Sequence, residues 1–294
     1  MKFFISGIIT LIVFIGIYNI WVVVGVPPTD DMLVKIEVDS ASIQAIGKDS
    51  GRGNTLCIQP FMTAINYANE PSFRESIRPY LIAARSKQLL NAKTLVVLPE
   101  NIGNFLVAYE EKESLYKKNT VEEAVNAIIA GNIFKFSIAY FNAPSMGDKK
   151  KYALFQMKAK QIVEVYNRVF SNLAKEFKVS IAAGSIVLPN PSIASDCSIK
   201  LNKGELYHTY AVFNPDGKIV SPLEKKIFEL KDSASFGFSV ENRKIKVDEK
   251  NIVSVGFSGL LWNSKGSGEI VVNTNNTQTV LVPIEQGRMV NIWN

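Results

Sequence analysis

The chain reads as an α/β fold in which helices layer on a sheet, and three stretches predict it. Thr94-Leu95-Val96-Val97-Leu98 is a short apolar run, partly β-branched, of the kind found in strands buried on both faces. Residues 152–178 repeat Ile162, Val165, Val169, Leu173 and Phe177 at three- and four-residue steps, which gives one apolar helical stripe. Val179 to Val187 then follows as a second apolar strand, broken at Gly184-Ser185. Strand, helix and strand in that order favour mixed layers over an all-α or all-β domain.

Bulk properties set the bounds. With 294 residues and 47% hydrophobic content, the chain can bury a full core as one large domain or two small ones. Its formal charge of +6 is dispersed, with only short runs such as Lys149-Lys150-Lys151. That pattern reads as a solvated surface, and no nucleic-acid partner is expected. Cys57, Cys197 and His208 are the whole complement of cysteine and histidine. They cannot supply a usual four-ligand zinc site, and no metal or cofactor is expected. A disulfide between the cysteines is allowed but not required.

The elements follow in chain order. Phe3 to Val26 is almost unbroken apolar sequence, interrupted by Asn19. As a helix it is long enough for a hydrocarbon core of about 30 Å. Tyr18 and Trp21 suit the interface. A cleavable signal peptide is the competing reading, but Val24-Gly25-Val26-Pro27-Pro28 is a poor cleavage site, which favours an uncleaved anchor. Lys2 before the span, and Asp30 and Asp31 after it, put the N-terminus in the cytoplasm and the main domain outside. The expected organisation is an anchor over 1–26, a linker and first strand over 27–39, and one domain over 40–294.

Leu33 to Val38 is the expected first strand, and residues 47–54 form a Gly-rich loop without a phosphate-binding Lys-Ser/Thr ending. Asn69-Glu70-Pro71 opens a helix striped by Phe73, Ile77, Leu81 and Ala84, with a distortion at Pro79. Residues 121–141 make one or two helices, and Ala127 to Phe141 is apolar enough to suggest membrane contact. Asn132 and Lys135 interrupt it, so a core helix is the expectation. Asn142 to Lys151 is a loop. Thr209 to Phe213 is a strand, and Asn214-Pro215-Asp216-Gly217-Lys218 a turn. Asn251 to Phe257 is a later strand, and Ile270–Asn273 with Thr279–Val282 a terminal hairpin across Asn275-Asn276.

Pro99 cannot donate a ladder hydrogen bond, so the strand from Thr94 stops there and Glu100 lies at its carboxyl end. Open α/β sheets place their sites at such ends, and partial desolvation raises a carboxylate's pKa into the range of a usable base.

Four motifs then stand in a telling order. Val96-Val97-Leu98-Pro99-Glu100 comes first and Val179-Ser180-Ile181-Ala182-Ala183-Gly184-Ser185 second. Tyr207 to Ile219, through Asn214-Pro215-Asp216-Gly217, is third, and Glu224-Lys225-Lys226-Ile227-Phe228 fourth. The series resembles the nitrilase superfamily of carbon–nitrogen hydrolases over roughly residues 40–260. The resemblance implies an α-β-β-α sandwich and a Glu–Lys–Cys triad acting on nitriles, amides or carbamoyl compounds. It implies Glu100 as general base and Lys226 as the oxyanion cation, with Lys225 the alternative in register. It also implies a small amide or nitrile-like ligand, and the family's frequent dimers allow a homo-oligomer, which the shortened C-terminal part argues against.

Two departures qualify that picture. The cysteine's place, just after the strand Ile252–Phe257, holds Ser258, and Leu260 stands where an aspartate often follows. Cys57 and Cys197 fall before the lysine and do not fit the order. A serine hydroxyl is a far poorer nucleophile than a thiolate near neutral pH, which points to an inactive relative serving as a binding or scaffold module. The chain after Ser258 is also short, so the second layer is expected to be incomplete, with apolar surface left open. Secondary candidates are Tyr109 at the mouth beyond Glu100, and Glu229 or Glu241 as a further acid.

Overall fold

The computed structural model describes residues 2–25, 38, 43–145, 147–220, 222–229, 243–247, 251–274, 277–282, 284–285 and 287–294. Residues 33–37 of the expected first strand lie outside them, as do the 27–31 linker, Glu241 and the Asn275-Asn276 turn.

The helices are α1 (Lys2–Val23), α2 (Glu70–Glu75), α3 (Arg78–Ser86), α4 (Glu113–Tyr116), α5 (Val121–Gly131), α6 (Ile133–Phe141) and α7 (Lys149–Phe177). The first strands are β1 (Gln44–Ile46), β2 (Asn54–Gln59), β3 (Phe61–Thr63), β4 (Leu95–Val97) and β5 (Ser180–Pro189). Next come β6 (Ser192–Ile193), β7 (Ile199–Lys200), β8 (Leu206–Phe213), β9 (Glu224–Ile227) and β10 (Ile245–Lys246). The last are β11 (Asn251–Val255), β12 (Ser258–Leu261), β13 (Ser264–Ser267), β14 (Ile270–Thr274), β15 (Thr277–Leu281) and β16 (Arg288–Trp293).

The expected α/β architecture is present. A seven-stranded sheet runs β1-β16-β2-β4-β5-β8-β9, with β2, β4 and β5 mutually parallel at its centre. One face packs on the helices: Phe73, Leu81, Tyr166, Phe170 and Leu173 share a core with Leu56, Val96 and Ile181. The other face packs on a second sheet, β10-β11-β14-β15. There Cys57, Val97, Ala182, Val290 and Ile292 meet Val253, Val255, Ile270 and Val272. The alternation 253/255 and 270/272 is the period of two that turns one strand face inward. The layers among the described residues are therefore α-β-β. No described helix backs the second sheet, and Val280 and Val282 are exposed on its margin. Among the described residues the outer helical layer of the expected α-β-β-α sandwich is not seen, and the described elements after β11 are the β12–β13 and β14–β15 hairpins and β16.

Local rules account for most boundaries. Asn69 caps α2, its side chain accepting from the Ser72 N–H at 2.8 Å, with proline in the first turn. The chain breaks between α2 and α3, and Pro79 lies in the first turn of α3. Asp148 caps α7, which begins inside the loop expected over 142–151, and Lys178 ends it in a left-handed conformation.

Three findings depart from the sequence reading. β16 inserts between β1 and β2 of the large sheet, a return that local pattern does not show. α5 and α6 are bent by 98° at Asn132. α6 is not a core helix: Phe134, Ile138 and Phe141 are 54%, 67% and 84% exposed, and of its side chains Ala139 is buried. At the N-terminus α1 is helical over 22 residues, with a described apolar run from Gly7 to Tyr18. Among the described residues no single helix is long and apolar enough to cross a membrane.

Candidate functional site

Glu100 is placed by the centre of the large sheet. β4 lies between the parallel strands β2 and β5, and Pro99 ends it. The Glu100 N–H then donates to the Val255 carbonyl at 3.0 Å, tying the strand end to β11 of the second sheet. The residue is only 4% exposed. Its Oε1 accepts from the Arg243 backbone N–H at 3.2 Å, while Oε2 is buried with no hydrogen-bond partner among the described residues. Burial pushes the carboxyl up to about 7. The Tyr210 and Ser185 hydroxyls and the Arg243 charge oppose that rise, although neither hydroxyl closes a hydrogen bond to Oε2. A carboxyl poised there exchanges protons readily near neutral pH.

The loop beyond Glu100 is fixed from β5. Gly184 has φ +71°, and a Cβ there would meet the Pro99 carbonyl oxygen at 2.1 Å. Only glycine admits that approach, which explains the break seen in the apolar strand. The Tyr166 hydroxyl donates to the Gly184 carbonyl at 2.8 Å, and Ser185 Oγ accepts from the Asn101 N–H at 2.8 Å. The Arg243 guanidinium lies 4.8 Å over the Tyr210 ring and pairs with Glu224.

Ser258 opens β12, opposite Phe61 in a parallel pairing with β3. The following Gly259, at φ +158°, lets β12 approach the Met62 carbonyl, which a Cβ would meet at 2.1 Å. Gln59 Nε2 secures the same corner, donating to the Gly256 and Gly268 carbonyls at 2.8 Å each. Ser258 is fully buried, and its Oγ has no hydrogen-bond partner among the described residues, so it is not bonded to Glu100. The two residues nevertheless belong to neighbouring segments. Val255, which receives the Glu100 N–H, is three residues before Ser258, a reach of about 10 Å at most.

Lys226 lies on β9, the last strand of the large sheet, and is exposed. It pairs across the ladder with His208, while Glu224 pairs with Tyr210. Lys226 thus shares a strand face with Glu224 but sits about 7 Å farther along it. Its charge acts on His208, whose pKa falls to about 4 through burial first, then Lys226 and Lys151. Lys225 is engaged elsewhere, donating to the Pro191 carbonyl at 3.2 Å. The cation beside Glu100 is Arg243.

The cysteines are free. Cys57 lies between the two sheets, where burial pushes its thiol up to about 12, so it is an inert core group. Glu229 is exposed. Tyr109 faces another space: a cavity of about 620 Å³ that it lines with Trp21, Lys112, Asn132, Lys135 and Lys158, and that Glu100 does not reach. At its wall Lys158 pairs with Glu111 at 2.8 Å and donates to the Tyr109 carbonyl at 2.8 Å. No cluster of His, Cys, Asp or Glu among the described residues could hold a metal ion.

Sequence reasoning found Glu100 but missed Arg243, Tyr210 and Ser185. Ser185 had a signal in the Gly184-Ser185 break. Tyr210 and Arg243 had none, because both reach Glu100 through tertiary packing.

No family model and no curated protein matches the chain. Among solved structures it is similar to the crystal structure of Saccharomyces cerevisiae Nit3, described as a member of branch 10 of the nitrilase superfamily. The identity is 16% and the TM-score 0.30. The match covers 66% of this chain and 51% of that one, so the chain spans about half of that structure. The chemistry is therefore read from the chain's own residues.

Proposed function

We propose that this chain is a membrane-anchored, carbon–nitrogen hydrolase-like protein that keeps the family's carboxylate but not its nucleophile. On this reading it binds a small amide or nitrile-like ligand and turns it over slowly or not at all. The observation that carries it is Glu100: a buried carboxyl raised to about 7 at a parallel strand end, hydrogen-bonded through its backbone to the segment leading to Ser258. In an amide hydrolase of this kind the carboxylate takes the nucleophile's proton as the nucleophile attacks the carbonyl carbon. A fixed cation then holds the oxyanion, and the proton passes to the departing amine. Here the hydroxyl of Ser258 makes no bond to the base, and Lys226 is exposed beside His208. Those two features favour ligand binding over fast catalysis. The same reading takes residues 3–26 as the anchor, with the α-β-β layers outside the cytoplasm.

Ser258→Cys tests it, assayed for ammonia release from short-chain amides beside the parent. The expected result is a parent at background and a variant that gains turnover, lost again on Glu100→Gln. A parent that already hydrolyses amides in a Glu100-dependent way would show an active enzyme instead. A folded Ser258→Cys variant with no gain would remove Ser258 from the site.

A further inference from the structure

α6 carries its apolar face on the outside. Phe134, Ile138 and Phe141 recur at i, i+4 and i+7, the spacing of one helical stripe, and all three are exposed. The opposite side packs on the protein through Ala139. A stripe that normally faces a core here faces away from it.

The base of α1 lies against the start of this helix. The Tyr18 hydroxyl donates to the Ala130 carbonyl at 3.1 Å and accepts from the Ile133 N–H at 3.0 Å. The Tyr18 and Phe134 rings meet edge to face at 5.0 Å. One turn along α1, the Lys112 ammonium lies 3.3 Å over the Trp21 ring. Tyr and Trp at the end of an apolar helix mark the level of the lipid headgroups. α6 begins at that level. Its nine residues are far too few to span a bilayer, which takes about twenty. The 98° bend at Asn132 also prevents α5 from extending it into a straight span.

We infer that α6 lies in the plane of the membrane beside the anchor, with Phe134, Ile138 and Phe141 buried at the boundary of headgroups and acyl chains. The occupant of the exposed stripe is thus a bilayer. Lys135 lies on α6 itself, Lys112 stands over Trp21 at the base of α1 and Lys150 donates to Asn126 of α5, cations that suit an anionic surface. α1 and α6 together hold the domain on the membrane at two places and restrict its tilt. This rests on the anchoring reading for the position of α1, and the experiment separates the two.

The test uses the full chain with Cys197→Ser, reconstituted in vesicles of phosphatidylcholine and phosphatidylglycerol. Spin labels are placed singly at Ile138→Cys, Phe141→Cys, Phe14→Cys and Glu122→Cys, all exposed positions whose substitution leaves the core intact. Relaxation by oxygen and by a water-soluble nickel reagent gives the depth of each. The expected result is a shift toward oxygen at 138, 141 and 14, with 122 in water. Labels at 138 and 141 that match 122, while 14 is in lipid, overturn this inference and leave the anchor standing. Labels at 138 and 141 shielded from both reagents mean that a second copy covers the stripe, which also overturns it. If 14 is in water but 138 and 141 are in lipid, the anchor fails and the interfacial helix stands.

Discussion

Glu100 and Lys226 belong to one sheet but to opposite parts of it. Glu100 follows its middle strand, and the second sheet closes over it, leaving the residue 4% exposed. Lys226 lies on the last strand, exposed along its length. The centre of the sheet therefore builds a tuned carboxyl, while the edge leaves its cation in water. The consequence shows in the pKa shifts: the charge beside Glu100 is Arg243, and Lys226 acts on His208. On the proposed reading, the carboxyl of a base–cation pair is in place and its cation is not.

The largest way to break this contrast is to disturb the corner that positions Glu100. Gly184→Ala sets a Cβ 2.1 Å from the Pro99 carbonyl at a φ of +71°. The expected loss is about 3 kcal/mol or more of unfolding free energy, read by urea denaturation. An unchanged midpoint would mean that the loop after β4 is not held as described.

Next come two opposed pH dependences. The Glu100 pKa rises on folding from 4.5 to about 7, so the folded state holds the proton more tightly. Its contribution is fully present below pH 4.5 and is lost as pH rises through 7, about 3 kcal/mol in all. Glu100→Gln removes that slope, so the variant should gain on the parent between pH 4.5 and 8. His208 goes the other way, from 6.5 down to about 4. Its contribution is fully present above pH 6.5 and is lost as pH falls through 4, again about 3 kcal/mol. His208→Phe should therefore gain on the parent in acid. Between pH 4.5 and 6.5 the two slopes cancel in the parent, and each variant exposes the other. Denaturation curves at pH 4, 5.5 and 8 check both.

Removing either cation has smaller effects. Arg243→Ala should move the Glu100 midpoint upward, since that charge now lowers it. Lys226→Ala should leave the Glu100 midpoint in place and raise that of His208 by less than about one unit, because Lys226 is solvated. Carboxyl and imidazole resonances followed by NMR read both shifts.

The same division between centre and edge decides what the sequence could show. The Thr94–Pro99 run, the α7 stripe, the Asn69-Pro71 helix start and the β14–β15 hairpin are local patterns, and each was legible. Glu100 was legible because a proline stop fixes where a strand end falls. β16 was not, since nothing in Arg288–Trp293 says that it pairs with Asn54–Gln59 more than two hundred residues earlier. Arg243 was not, because it reaches Glu100 across the fold from 143 residues away. α6 misled for a related reason: periodicity identifies an apolar face but not what that face meets.

The chemistry proposed for the strand end depends on the ionisation of one carboxyl, Glu100. Difference infrared spectra between the parent and Glu100→Gln, taken from pH 3 to 9, isolate its protonated C=O stretch. A midpoint near 7 that Lys226→Ala does not move is the predicted result. A midpoint near the ordinary 4.5 would contradict it, because Glu100 would then be a solvated strand-end carboxylate with no proton to trade at neutral pH.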